Sequence, residues 1–165
     1  MGAISTSVDY HVERIHGQEI QKPLPKRRHA LVQTRIIIAL AKWSGDLNLE
    51  VLTEIDVFTV GDDWVVPDVA VARANAKYRD GKLAEGAELA VEIMSPGQTI
   101  GQLFDKCELL HAGGTRHCWV LWPQKRSAWE YPAGGLPLPA SDVLRAGTIE
   151  VQLADLFANL PDDAE

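Results

Sequence analysis

Apolar and polar residues alternate through "YHVERIHGQEIQK" (residues 10–22) around Gly17, the pattern of a short hairpin, and Pro23 and Pro25 end it. The period then changes. In "RHALVQTRIIIALAKW" (28–43), Leu31, Ile36 or Ile37, Leu40 and Trp43 recur at helical spacing, predicting a helix from about 28 to 44. Two strand-like runs follow, "LEVLTEIDVFTV" and "WVVPDVAVA", separated by the turn "GDD". A polar connection, "RANAKYRDGKLAEGA", leads to a further strand, "ELAVEIMS", which Pro96 and Gly97 terminate. "TIGQLFDKCELLHAGG" places Ile100, Leu103, Phe104, Cys107 and Leu110 on one stripe, with Gly113 and Gly114 as the stop, so it reads as an amphipathic helix. "HCWVLW" and "RSAWEYP" flank "PQK" as a second hairpin. "GTIEVQ" adds a strand and "LADLFANL" a last helical turn. The succession predicts a mixed α/β (α+β) fold, a central mixed β-sheet flanked by helices.

Length and composition narrow this further. A chain of 165 residues is expected to form one domain, here about 9–162, after a flexible stretch at 1–8. Fractions of 46% hydrophobic and 24% charged residues belong to an ordinary water-soluble protein. No apolar run reaches the roughly 20 residues that cross a bilayer. The opening residues carry no basic segment followed by an apolar one, so no signal peptide and a cytoplasmic location are expected. Met1-Gly2 with Ser5 or Thr6 only loosely resembles an acylation signal. Cys107 and Cys118 lack the spacing of a metal knuckle and read as two buried reduced thiols. The net charge of −7 argues against broad coating of nucleic acid but allows a local basic groove. "KPLPKRR", with Lys22, Lys26, Arg27 and Arg28, is the one dense basic run.

The candidate chemistry begins at Glu92. Alternation along its strand puts it on one face with Ala90 and Met94. A carboxylate in an apolar environment without a partner costs several kcal/mol or takes up a proton, on the order of magnitude set by desolvation. Asp68 is a second acid in an apolar run, "VVPDVAV", where Pro67 interrupts the strand or marks an edge. If the two strands are neighbours, Asp68 and Glu92 meet, and their repulsion calls for a cation. Mg²⁺ suits one or two carboxylates and keeps waters for phosphate groups. The plainer alternative is that each acid accepts backbone or arginine hydrogen bonds at a strand end. Gln102 and Lys106, four residues apart on the next helix, could both lean over the same surface. A lysine there would neutralise the acids and hold a water attacking phosphorus; otherwise it is a solvated helix lysine.

The order Pro67-Asp68, Glu92, Lys106 resembles the PD-(D/E)xK nuclease superfamily, with one departure. The lysine of that motif stands two residues after the acid, where this chain has Met94. With the lysine migrated to the following helix, the pattern is similar to the Uma family of candidate restriction endonucleases. The likeness runs from about Val12 to Leu160 through "VERIHG", "KPLPKRRH", "VVPDVAVA", "ELAVEIMSP", "DKCELLHAGGTRHCWVLWP" and "LPLPASDVLRAGTIEVQLADLF". The resemblance implies a restriction-endonuclease-like fold. It also implies Mg²⁺ (or Mn²⁺) held by Asp68, Glu92 and the carbonyl of Ile93, with Lys106 assisting the nucleophile. Glu13 and His29 match family positions that reach the site. Gln102 replaces an acid one turn before the lysine, and Leu110, His117 and Trp122 replace a common tyrosine, glutamate and aspartate.

Three functions follow as alternatives. The first is a metal-dependent DNA endonuclease with Asp68, Glu92 and Lys106 as catalytic residues. Lys22, Lys26, Arg27 and Arg28 would then contact the phosphate backbone, with modest, salt-sensitive affinity. Cutting both strands of a duplex requires two sites, so a homodimer is expected. The second is a catalytically weak or inactive module on the same fold, supported by the acidic balance and Gln102, with Trp119, Trp122 and Trp129 of the second hairpin as a possible interface. The third is a small phosphoester hydrolase with the same metal chemistry.

Overall fold

The computed structural model describes residues 11–162. The expectations for the first eight residues and for an acylation signal fall outside them. β1 (Val12–Ile15) and β2 (Gln18–Gln21) form the N-terminal hairpin and turn at His16 and Gly17, with φ of 52° and 75°. Two consecutive positive φ values define the tight hairpin turn that glycine favours. α1 (Arg27–Leu47) follows and buries His29, Val32, Ile36, Ala39 and Leu40 along one stripe. It runs past Trp43 and closes on Asn48 in the left-handed region, φ 53°, whose N–H bonds the Ser44 carbonyl. An asparagine tolerates that conformation better than most residues.

Two strand-like runs of the sequence are each divided. The first splits into β3 (Leu49–Thr53) and β4 (Val57–Phe58) at Glu54, φ 50°. The second splits into β5 (Trp64–Val65) and β6 (Val69–Arg73) around Pro67, which has no N–H for a ladder. The polar connection holds a small hairpin, β7 (Tyr78–Arg79) and β8 (Lys82–Leu83), turning at Asp80-Gly81. Alternation over two-residue strands is too short to register in the sequence. β9 (Leu89–Ile93), α2 (Ile100–Ala112) and β10 (His117–Trp122) then make a strand–helix–strand unit whose strands pair in parallel. β11 (Ser127–Tyr131) and β12 (Leu138–Pro139) extend the sheet, and β13 (Val143–Ala146) with β14 (Ile149–Gln152) forms a hairpin before α3 (Leu153–Phe157).

The central sheet has the order β12-β11-β10-β9-β6-β3, parallel only at β9–β10. A second sheet, β2-β1-β5-β4-β8-β7, collects the short strands. This is the mixed sheet with flanking helices that the sequence predicts. Each central strand sends alternate residues to opposite layers. Val69, Val71, Leu89, Val91, Ile93, Trp119 and Leu121 pack with α1, α3 and the β13–β14 hairpin. Ala70, Ala72, Ala90, Met94, Cys118 and Val120 pack with Leu103, Cys107 and Leu110 of α2. Each large aliphatic side chain buried this way contributes about 1.5–3 kcal/mol.

Of the three hairpin tryptophans Trp119 belongs to the core, while Trp122 and Trp129 lie half-buried side by side, 6.2 Å between ring centroids. Trp119 is 1% exposed and its indole N–H donates to the Arg145 carbonyl, while Trp129 packs edge-on against Phe104. Cys107 and Cys118 are buried and unpaired. Among the described residues no helix is long and apolar enough to cross a membrane.

Candidate active site

The register of β6 on β9 decides where the two acids lie. Val69 pairs with Val91 and Ala70 with Ala90, so the next position sets Asp68 opposite Glu92. Both are buried, at 1% and 2% exposure. Asp68 is extensively held. Its Oδ2 accepts the Ile93 N–H at 2.7 Å, and its Oδ1 takes the Lys22 ammonium at 2.7 Å, with His29 Nε2 3.4 Å away. Its backbone carbonyl accepts from the Gln33 side chain at 2.9 Å and from the Glu54 N–H at 3.2 Å. Glu92 differs: its Oε1 is buried with no hydrogen-bond partner.

The electrostatics of the two acids diverge accordingly. Burial pushes the Glu92 carboxyl up to about 8; Asp68 and Glu13 add to that rise, and Lys106 and Lys22 oppose it. Burial also acts upward on Asp68, but the Lys22 ammonium and His29 outweigh it and hold the carboxyl below the ordinary range. Hydrogen-bond donors that favour the charged form make the difference.

Lys106 is the second cation of the site. Seven residues into α2, it points back at the sheet and is 9% exposed. Its ammonium bonds Glu13 Oε1 at 2.7 Å, and the other oxygen of Glu13 accepts the Val66 N–H at 2.9 Å. Burial acts downward on Lys106, but Glu92 and Glu13 raise it above the ordinary lysine value, so it remains an ammonium. Glu13 thus fixes Lys106 beside Glu92. The N-terminal hairpin supplies one acid from β1 and one base, Lys22, from just beyond β2.

Of the residues the sequence singles out, the structure brings together Asp68, Glu92, Lys106, Glu13, His29 and the backbone of Ile93. Gln102 borders the same cleft as Glu13 and Lys106, but its side chain accepts the Thr99 N–H at 2.8 Å while its own N–H bonds Thr99 Oγ1. This reciprocal cap occupies the Gln102 side-chain oxygen at the start of α2. Lys22 departs from the expected basic loop: it is 7% exposed and ion-paired to Asp68 and, at 3.4 Å, to Glu54. Lys26 and Arg27 are exposed at the start of α1, and Arg28 is half-buried with its Nε bonded to the Pro161 carbonyl. Glu54 and Gln33 are site residues that the sequence pattern does not mark, and Lys22 is marked there only as a phosphate contact, not as the partner of Asp68. The one signal for Lys22 is that Asp68, buried beside Pro67, requires a positive neighbour.

A cleft of ≈ 700 Å³ opens beside Glu13 and Lys106, bordered by His16, Gln21, Gln98 and Gln102. A cavity of ≈ 480 Å³ at the opposite end of β9 has its arginines, Arg73 and Arg116, turned to Glu88. Only the first touches the charged cluster. Among the described residues no three His, Cys, Asp or Glu side chains converge as a ready-made metal cage. The donor set nonetheless fits a hard cation that needs few protein ligands. Its acids offer only oxygen, and the unpartnered Glu92 Oε1 is an open acceptor beside Asp68.

Buried acids on adjoining strands of a mixed sheet, with a lysine leaning in from the next helix, sit in a nuclease-like fold. The chain belongs to the Uma2 family, described as "Putative restriction endonuclease", which matches residues 5–156. It is similar over 91% of both chains, with a TM-score of 0.75 and 23% identity, to a crystal structure described as "a putative nuclease belonging to DUF820" from Anabaena variabilis ATCC 29413. That likeness establishes the fold. A partial match, 14% identical with a TM-score of 0.40, covers 79% of this chain and 12% of a chain in a cryo-EM structure of a DrdV–DNA complex. No curated protein sequence matches the chain.

Proposed function

We propose that this chain is a metal-dependent endonuclease that hydrolyses phosphodiester bonds in DNA, with Asp68, Glu92 and Lys106 as its catalytic residues. One observation carries the reading: Glu92 Oε1 is buried, unpartnered and set opposite Asp68, a carboxylate pair that a divalent cation would complete. Asp68 and Glu92, with the adjacent Ile93 backbone, would hold Mg²⁺ or Mn²⁺. When bound, the ion would polarise the scissile phosphate and lower the pKa of a water nucleophile. The protein's own groups do the rest. Glu92 is raised toward neutrality and gives up its proton when a cation is held there. Lys106 stays protonated, so it acts as a donor that orients the water and stabilises charge on phosphorus rather than as a base. Glu13 is a positioning residue: its carboxylate fixes the Lys106 ammonium.

The cleft beside Lys106 is the approach for the substrate, and Lys26 and Arg27 are the basic side chains exposed near the N-terminal hairpin. With a net charge of −7, DNA affinity should be modest and fall steeply with salt. Cleavage of both strands would require two copies of the chain. The alternative, a weak or inactive module on the nuclease fold, is favoured by the Lys22 ammonium, which already neutralises Asp68.

The test is cleavage of supercoiled and single-stranded DNA with Mg²⁺, Mn²⁺ or EDTA, by the wild type, Glu92→Gln and Lys106→Met. Metal-dependent cutting lost in both variants is expected. Cutting that survives Glu92→Gln would sink the assignment, and folded wild type that cuts neither substrate under either metal favours the inactive module.

A further inference from the structure

The two lysines of the site are held in different ways. Lys106 is anchored by Glu13, whose remaining oxygen is taken up by a backbone N–H, so its partner lies outside the proposed metal ligands. Lys22 is anchored by Asp68 itself. The oxygens of Asp68 are unequal: Oδ2 is committed to the Ile93 N–H, and Oδ1 faces Lys22 at 2.7 Å, with His29 Nε2 farther off at 3.4 Å. A cation approaching Asp68 therefore meets the Lys22 ammonium at the one oxygen not bound to the sheet. Like charges a few ångströms apart in a buried site repel strongly.

The chain that follows Lys22 is not locked in a helix or strand. Lys22 stands one residue beyond the end of β2, its N–H bonded to the His11 carbonyl, and the residues after it, 23–26, lie outside any helix or strand. Its other contact, Glu54 at 3.4 Å, is a partly exposed carboxylate whose backbone N–H bonds the Asp68 carbonyl. The ammonium thus has a second acid to retain when it leaves the first.

From this geometry we infer that Lys22 is a resident counter-cation, which occupies Asp68 Oδ1 in the metal-free protein and is displaced when a divalent ion binds. The inference rests on the reading of Asp68 and Glu92 as the metal-holding pair. Lys22 neutralises the buried Asp68 carboxylate before metal arrives, and metal binding is weaker for it. Displaced, it places a mobile ammonium next to the phosphate, beside the fixed one of Lys106.

The probe is Mn²⁺ itself, titrated by calorimetry into the metal-free full chain and its Lys22→Met variant, with folding of each followed by circular dichroism. Lys22→Met should bind Mn²⁺ at least about tenfold more tightly, because a competing charge is gone. A purely structural Lys22 would lower the melting temperature without tightening Mn²⁺. In the wild type, amine acylation read by mass spectrometry should rise several-fold at Lys22 on adding Mn²⁺ and stay constant at Lys106. Unchanged or weaker binding by a folded Lys22→Met, or a Lys22 acylation rate indifferent to saturating Mn²⁺, overturns the inference. If Lys22→Met does not fold, the wild-type acylation decides. Absence of Mn²⁺ binding by both proteins would instead remove the metal reading and this inference with it, an outcome distinct from binding of unchanged strength.

Discussion

Replacing Glu92 by glutamine should alter the dependence of stability on pH more than stability itself. The side chain is 2% exposed, and its carboxyl is pushed from an ordinary 4.5 up to about 8 by burial, with Asp68 and Glu13 adding and the two lysines opposing. Between those values the folded protein holds a proton that the unfolded chain has released. The unfolded state then binds fewer protons, so stability falls as pH rises from about 4.5 to 8 and levels off above. At about 1.4 kcal/mol per unit, a shift of that size corresponds to a few kcal/mol of metal-free stability lost across the window. Glu92→Gln keeps the volume and cannot ionise, so its unfolding profile should lack that decline and cross the wild type's near neutrality. Denaturant melts in EDTA from pH 5 to 9 measure this directly. Mn²⁺ should restore the wild type at pH 8, by about 2.7 kcal/mol at a hundredfold excess over Kd, and leave the variant nearly unmoved. Parallel pH profiles and equal Mn²⁺ responses in the two proteins would refute the reasoning.

Other substitutions test neighbouring links. Lys106→Met strands Glu13, 1% exposed, with one backbone donor and should cost about 3–5 kcal/mol. Adding Glu13→Gln should recover much of that loss in denaturant melts without recovering DNA cleavage. Asp68 is held below its ordinary 3.8 by Lys22 and His29 against the upward push of burial. It therefore stabilises the fold above about 3.8, and that contribution disappears as pH falls through the lower folded value; Asp68→Asn should flatten the acid limb of an unfolding titration. Gly86→Ala should destabilise by about 2 kcal/mol or more in thermal melts, since φ is +84° and the new Cβ would lie 2.4 Å from the Gly114 carbonyl carbon.

The sequence makes the acids and the helix lysine legible because each interrupts an apolar period. Glu92 breaks a strand, Asp68 follows a proline, and Lys106 borders an amphipathic stripe. Register, which brings Asp68 opposite Glu92, is a property of two strands about twenty residues apart and becomes visible only in the sheet. Lys22 was hidden for a different reason: in "KPLPKRR" its charge looks like part of a solvated run, while its burial depends on how the hairpin docks. For Gln102, helical spacing gives its place one turn from Lys106 on the border of the cleft, but not that its side chain caps Thr99 three residues back. The two-residue strands β7, β8 and β12 carry too few residues for alternation to declare them.

Lys106 stands seven residues after Thr99 and seven before Gly113. Both ends of α2 are clamped: one by the reciprocal Thr99–Gln102 cap, the other by Gly113, where a Cβ would lie 2.6 Å from the Phe58 carbonyl oxygen. The helix is thus a ruler whose two end marks lie roughly 10 Å from the working group, at 1.5 Å per residue. A lysine carried on the same strand as its acid inherits alignment from the sheet for nothing. A lysine carried on a separate helix inherits its height from whatever fixes that helix along its axis. A slip of about 1 Å in such a placement can cost a hundredfold in rate. The glycine pair beyond α2 therefore belongs to the tolerances of the site, although it lies at the far end of the helix and touches none of the chemistry.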